Sequence, residues 1–461
     1  MSTEAADWTE DAFFEVPERD SIDGGTTTEG PLWHVVSPRW GHSMHTMCSY
    51  HGMFPAKLVH HFIQQYSRPG DVVFDPFSGR GTVPLQARVE GRRTISNDLS
   101  PLAYVLSLAK ASPPSWTAIN KYLDDLEKRY RSTTHEEPDV SPDIKMLYND
   151  NTLRQICYIR NQLHSRKMAN WSPEMAMIAG SLAGIMHGSH RRDGTSQYLS
   201  ISMPNTFSMS PTYVAKFIEE KRLVPPDQDV FERLRDKISR LYLDAIDGFD
   251  GQVFASDASK VMGGRQIPSG SVDLLVTSPP YLQVVNYGTA NWIRLWLLGV
   301  EEVGRERGKG RVELDAALDH RHTYKSYQDF LLRTLRGIRR VLKQDGVAAL
   351  VIGDVADPGK EPIPLAKKVW DDIGEKTGLR LLSLIDDYLP VEKKVSRIWG
   401  DTKGQATNRD CVLVLAHQNG RPWVRSDVID WDEPYKDGGP DAAHLRVKAR
   451  LSNNAGPGLE E

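Results

Sequence analysis

The sequence predicts an α/β fold: a mostly parallel sheet with helices between its strands, interrupted by one large, mostly helical insertion. Three observations carry this expectation. A short strand, a glycine-rich turn and a helix follow one another over 71–90. A second apolar run, Val272 to Val276, is halted by Pro279-Pro280, which cannot donate backbone hydrogen bonds. Strand-like and helix-like segments then alternate as far as residue 416, the pattern of a layered α/β sheet. A chain of 461 residues, 39% hydrophobic and 26% charged, can bury the core of one enlarged domain or two.

Bulk properties narrow the class. No apolar run approaches the roughly 18–20 residues of a membrane span. The N-terminus is acidic and has no apolar signal core, so a cytoplasmic protein is expected. Cys48, Cys157 and Cys411 are too widely spaced for a disulfide framework. Residues 1–30 hold nine acidic side chains and one basic, against a net charge of −4 for the whole chain. They are expected to form an acidic flexible arm. The body beyond them is modestly basic, which is compatible with DNA binding without requiring it.

The elements follow in order. His42-x2-His45-x2-Cys48-x2-His51 admits a metal site, but it lacks a paired C-x2-C and matches no usual zinc spacing. The stronger reading begins a helix at His51-Gly52-Met53-Phe54-Pro55-Ala56-Lys57, with Leu58, Phe62 and Tyr66 facing inward. Asp71 to Asp75 is a short strand. Pro76-Phe77-Ser78-Gly79-Arg80-Gly81-Thr82 and a helix over about 83–90 come next. Strand, glycine turn and helix together aim backbone N–H groups at a ligand. Thr94 to Asp98 is a second strand that ends in an acid, 17 residues past Gly81. An acid at about that distance can accept hydrogen bonds from both hydroxyls of a ribose. Asp98 also suits a helix N-cap before Ser100-Pro101, and the two roles are compatible.

Residues 111–250 interrupt this pattern. Leu123, Leu126 and Tyr130 have helical spacing; Met175 to Met186, Tyr213 to Lys221 and Val230 to Leu243 extend the helical character. Between them lies a basic loop containing Arg191 and Arg192. The insertion is either a target-recognition region or a cap that only stabilises the sheet. The sheet resumes at Val253 to Ala258. The run Val272 to Val276 then reaches Thr277-Ser278-Pro279-Pro280-Tyr281. A hydroxyl, free carbonyls and an aromatic ring thus share one stiff turn at the carboxyl edge of a sheet, where α/β folds bind ligands. Such a set can accept hydrogen bonds from an amino group and stack on a flat base.

Beyond the turn, Asn291 to Leu298 reads as a helix with Trp292 and Trp296 inward. Arg305, Arg307, Lys309 and Arg311 form a charged stretch, open to reading as a solvated loop or as a set of phosphate contacts. Tyr327 to Leu342 is an amphipathic helix expected to end at Gly346. Strands are expected at 347–352, 379–385 and 409–416, with a helix over 364–376. Arg397, Trp399 and Lys403 fall in the loop before the last strand. Residues 421–461 show little periodicity and read as a tail.

Two of these motifs carry a family resemblance. TSPPY, at 277–281, resembles the catalytic motif of the amino-methylating DNA methyltransferases, which act on the exocyclic amine of cytosine or adenine. DPFSGRGT, at 75–82, resembles the S-adenosylmethionine loop of the same enzymes, with Arg80 in place of the common Ser. The segment from His51 to Lys57 resembles their "H…P-A-K" segment. The resemblance covers about 41–110 and 251–417. It implies a Rossmann-like seven-stranded methyltransferase sheet that binds S-adenosyl-L-methionine. The implied cofactor contacts are Phe54, Pro55, Asp75, Pro76, Phe77, Ser78, Gly79, Gly81, Thr82, Asp98, Asp257 and Ala258, although Asp150 could be argued for the role of Asp257. The implied catalytic residues are Ser278, Pro279, Pro280 and Tyr281. Candidate DNA contacts are Arg191, Arg192, Arg305, Arg307, Lys309, Arg311, Arg397 and Lys403.

The expected organisation is an arm (1–30), a cofactor-binding half (31–110), the helical insertion (111–250), a catalytic half (251–420) and a tail (421–461). Because SPPY is typical of the N4-cytosine enzymes, the expected activity is methylation of cytosine N4 in double-stranded DNA. A restriction-modification or phage-defence setting with cognate partner proteins is expected, and no metal. Adenine N6 methylation, RNA amino-methylation and a catalytically silent DNA-binding subunit stay open.

Overall fold

The structure is a computed structural model. It describes residues 32–36, 40–50, 54–203, 210–280, 282, 287–300, 323–356, 363–388, 405–429 and 431. The expected arm (1–30), Tyr281, the charged stretch from Arg305 to Arg311, the loop holding Arg397 and Lys403, and residues 432–461 lie outside the described residues.

Seven strands form one sheet: β1 (Val72–Asp75), β2 (Arg93–Asp98), β3 (Gln252–Ala255), β4 (Val272–Thr277), β5 (Leu342–Ala356), β6 (Leu379–Tyr388) and β7 (Gln405–His417). Their order is β3-β2-β1-β4-β5-β7-β6. The pairs from β3 to β5 are parallel. β7 runs antiparallel to both β5 and β6. The order reverses between β1 and β4, so the chain diverges there and opens a crevice at the carboxyl ends of both strands. DPFSGRGT follows β1 and the prolines follow β4, which brings the two motifs together across that crevice.

Alternation along the strands sorts the core into two layers. Val73, Leu274, Val276, Val347, Ala349, Val351, Val412 and Val414 share one face with α1 (Ala56–Tyr66) and α2 (Thr82–Val89). Phe74, Leu275, Ala348, Leu350, Leu413 and Leu415 face the other way. The helix α3 (Pro101–Ala111) follows β2.

The insertion contains α4 (Trp116–Arg131), α5 (Pro142–Lys145), α6 (Asp150–His164), α7 (Pro173–Ile185), α8 (Pro211–Lys221) and α9 (Val230–Leu241). After the sheet resumes come α10 (Ala258–Gly263), α11 (Tyr287–Ala290), α12 (Trp292–Leu297), α13 (Tyr324–Val341) and α14 (Leu365–Ile373). Helices α10, α13 and α14 cover the second face of the sheet.

Three features differ from, or add to, the sequence reading. First, the core of the insertion is continuous with α3, α12 and residues 44–50. Arg294 of α12, 1% exposed, donates to Ala183 O in α7 and to Ser49 O and Oγ. Arg160 and His164 of α6 bond to the carbonyls of Trp296 and Leu297 at the end of α12. Second, the helix from Tyr324 ends at Val341, not at Gly346, because Leu342 is already extended. Gly346 lies within β5, where a Cβ would stand 2.9 Å from Asp273 O. Third, the described part of the 421–461 tail is packed along α1. Arg425 bonds to the backbone of Gln64 and Gln65, and Trp431 packs on Trp40 and His60. Side-chain and aromatic contacts hold it without any periodic pattern for sequence to reveal.

Candidate active site

β1 ends at Asp75, and its buried side chain organises the meeting of the two motifs. Asp75 Oδ1 accepts from Phe77 N at 3.0 Å and from Thr277 Oγ1 at 2.6 Å. The first residue of TSPPY is thereby tied to the first residue of DPFSGRGT. Burial raises the Asp75 carboxyl to about 7, against the lowering effect of those two bonds.

The loop after β1 needs glycine twice, for different reasons. Gly79 has φ +49° and its open face lies toward the Tyr50 ring, 3.5 Å from where a Cβ would stand. Gly81 has φ +77°, and a Cβ there would meet Ser107 Cα at 3.0 Å and Leu106 O at 3.2 Å. Gly81 therefore allows close packing against α3. Arg80 turns its guanidinium to Thr82 Oγ1 and His45 O, and burial lowers it to about 10. Lys110 donates to Arg80 O.

β2 delivers Asp98. Its Oδ2 accepts from Gly79 N and its Oδ1 from Ser100 N, each at 2.9 Å. Ser100, not Asp98, is the N-cap of α3. Burial raises the Asp98 carboxyl to about 6. Asp257 caps α10, accepting from Ser259 N and Lys260 N.

These groups enclose a cleft of about 320 Å³. Of the residues singled out in the sequence, Phe54, Pro76, Phe77, Ser78, Gly79, Thr82, Asp98, Asp257, Ala258, Ser278 and Pro280 line it. Pro55, Asp75, Gly81 and Pro279 are not among its lining residues. Pro55 caps α1 instead. Asp150 lies exposed in the first turn of α6, away from the cleft lining. Arg191 and Arg192 are exposed on a turn closed by Arg191 N to Thr195 O, and neither lines the cleft. His42 and His45 bond to Ala245 O and Gln86 Oε1, and no metal-binding group occurs among the described residues.

Sequence reading missed several lining residues: Tyr50, Leu99, Tyr287, Tyr327, Phe330 and Arg333. Tyr50 and Tyr287 stack with ring centroids 5.9 Å apart, joining the segment before α1 to the helix after the proline turn. Phe77 and Phe330 meet edge to face at 5.7 Å. Leu99 had a usable signal, an apolar side chain directly after a strand-ending acid. Tyr327 had only its place on an apolar helix face, which reads as core.

The sequence profile of the N6/N4 DNA methylase family matches residues 18–109. The chain is 21% identical over 368 residues to the Type II methyltransferase M.BsoBI of Geobacillus stearothermophilus, covering 75% of this chain and 69% of that protein. It is 21% identical over 267 residues to the Type II methyltransferase M.MvaI of Kocuria varians, covering 53% and 56%. Among solved structures, it is similar to a DNA modification methylase of Thermus thermophilus in complex with S-adenosyl-L-methionine. That match has 21% identity and a TM-score of 0.22, covering 38% of this chain and 56% of that one. The cytosine-N4-specific PvuII DNA methyltransferase is 17% identical with a TM-score of 0.24, covering 43% and 63%. The N6/N4 DNA methylase profile over 18–109 and the similarity to Type II methyltransferases thus accompany a seven-stranded sheet in which β1 and β4 stand side by side.

Proposed function

We propose that this protein transfers a methyl group from S-adenosyl-L-methionine to the N4 amine of cytosine in double-stranded DNA, as a modification enzyme of a restriction or defence system. The observation that carries the reading is the tie between Asp75 and Thr277, which fixes a nucleoside-sized cleft beside the proline turn.

The cleft fits the cofactor. Its volume falls in the roughly 300–1,000 Å³ range of ligand pockets. The Asp98 carboxylate accepts from the backbone of Gly79 and Ser100 and, with about four lone-pair sites in all, keeps room for a ribose hydroxyl. Leu99, 36% exposed, offers an apolar wall beside that acid. Asp257 and Ala258 border the same cleft and suit the adenine ring. When bound, S-adenosylmethionine supplies an electrophilic methyl group.

The remaining chemistry belongs to the catalytic turn. A base within a duplex must be flipped out, at a cost of a few kcal/mol. Ser278 Oγ and the Pro279 carbonyl accept the two amine hydrogens and direct the nitrogen lone pair away from them. Tyr281 stacks on the base. Ser is shorter than the Asp or Asn typical of N6-adenine enzymes, which favours cytosine. Positioning and electrostatics suffice, without a covalent intermediate. None of the three cysteines follows a proline, unlike the nucleophile of carbon-5 methylation.

The test is incubation with methyl-labelled S-adenosylmethionine and separate DNA and RNA pools. Label in DNA alone is expected. Label in RNA alone would overturn the substrate, and cofactor binding with no transfer to either would revive the silent-subunit reading.

A further inference from the structure

We infer that the hydroxyl of Tyr327 is a substrate contact, donating a hydrogen bond to the ring nitrogen next to the amine-bearing carbon of the target base. The inference rests on the proposed function and goes beyond it. Tyr327 is 1% exposed and lines the cleft. Its hydroxyl has no hydrogen-bond partner among the described residues. A buried phenol ordinarily finds one.

Its neighbours do not share this state. Tyr50 bonds to Ser100, and Tyr287 is engaged as well. Tyr327 is thus a donor held in a dry wall, with no acceptor for it among the described residues.

Its position selects the ligand. Gly337 of α13 packs on Met262 of α10, beside the Asp257-Ala258 end of the cleft. Tyr327 lies nearly three turns earlier on α13, near the opposite end of the helix. It belongs to the same hydrophobic cluster as Leu282, which follows the proline turn, a cluster that also holds Phe74, Ala258 and Met262. Its ring also lies beside Phe330, 6.1 Å between centroids. The hydroxyl is assigned to the base half of the cleft by its distance along α13 from the contact with Met262.

The chemistry is complementary. Ser278 and Pro279 account for both amine hydrogens, but they leave the adjacent ring nitrogen unanswered. That nitrogen is an acceptor in both cytosine and adenine. An O–H donor is what it lacks, and Tyr327 is a donor with no acceptor among the described residues.

Tyr327→Phe removes the hydroxyl and keeps the ring. The described residues offer that hydroxyl no internal hydrogen bond to lose, so Tm should hold or rise. Affinity for S-adenosylhomocysteine, by calorimetry, should stay within about twofold. Methyl transfer should fall, with kcat/KM for unmethylated DNA down roughly tenfold or more, as expected for a lost contact in a desolvated site. A second arm uses the wild-type protein and a duplex carrying the site recovered from treated DNA. Replacing the target by its 3-deaza analogue should lower wild-type transfer to the variant's level, with no further loss in Tyr327→Phe. Full activity of the variant, additive losses with the analogue, or a tenfold loss of S-adenosylhomocysteine affinity would each overturn the assignment. A wild-type protein that methylates no DNA would overturn the proposed function instead.

Discussion

One wall of the cleft comes from a single stretch of chain between Pro76 and Leu99; the other is assembled from side chains at Tyr50, Ser278, Tyr287 and Tyr327, far apart in the chain. The first wall is set by local rules: a strand end, two left-handed glycines and an acid that holds a loop amide. The second depends on how α12 and α13 return to the sheet and on how the insertion grips α12. On the proposed function, cofactor recognition is a local property and base recognition a tertiary one, whose parts should be more sensitive to distant change.

The largest expected effect is on the local wall. Asp98→Ala removes a partly buried acceptor and should weaken S-adenosylmethionine binding by about 3 kcal/mol, roughly a hundredfold. Calorimetry at pH 7.5 measures it, and equal affinities would remove Asp98 from the site. The wild-type affinity should also rise with pH through about 6, because the ionised carboxylate is the better acceptor of ribose hydroxyls.

Next comes the tertiary wall. Ser278→Ala should lower kcat by roughly tenfold to thirtyfold, about 1.4–2 kcal/mol, with cofactor affinity unchanged. A variant that loses affinity and keeps kcat would show that Ser278 serves the cofactor.

The tie between the walls gives a pH test. Asp75 has a folded value of about 7, above its unfolded value near 4. Between those values the folded chain keeps a proton that the unfolded chain releases, so this residue's contribution to stability falls as pH rises through the window. Asp75→Asn retains the Oδ1 acceptor and does not titrate. Its stability relative to wild type should improve from pH 4.5 to 7.5 by about 1.4 kcal/mol or more. Thermal or urea unfolding checks this, and parallel pH profiles would refute the buried neutral acid. The lowered values of His42, His45 and His61 act in both proteins and cancel in the comparison.

The smallest effect is expected furthest from the cleft. Arg191→Ala with Arg192→Ala should weaken DNA binding a few-fold and flatten its salt dependence by up to about two counterions, leaving cofactor affinity intact. An unchanged salt slope would make the insertion a scaffold alone. Its grip on α12 through Arg160, His164 and Ala183 gives that role a physical basis.

Legibility in the sequence followed the same division. The strands of the sheet were readable from short apolar runs, and the cofactor-side cleft residues from one contiguous motif and the acid after it. The side chains from 50, 287 and 327 were not, because nothing in their spacing links them. Tyr327 read as core because a buried face and a cleft wall share one helical period; what separates them is a hydroxyl with no partner among the described residues. Gly346 read as a helix cap because a glycine after an amphipathic run has that meaning in isolation. Its actual neighbour, Asp273 O, comes from a different strand.

The most direct test of the proposed activity is mass spectrometry of nucleosides digested from previously unmethylated DNA treated with the protein and S-adenosylmethionine. The predicted product is N4-methylcytosine, dependent on the cofactor and lost with Asp98→Ala. N6-methyladenine without N4-methylcytosine would contradict the base assignment while sparing the cleft. No methylated nucleoside from a protein that binds the cofactor would contradict the central claim itself.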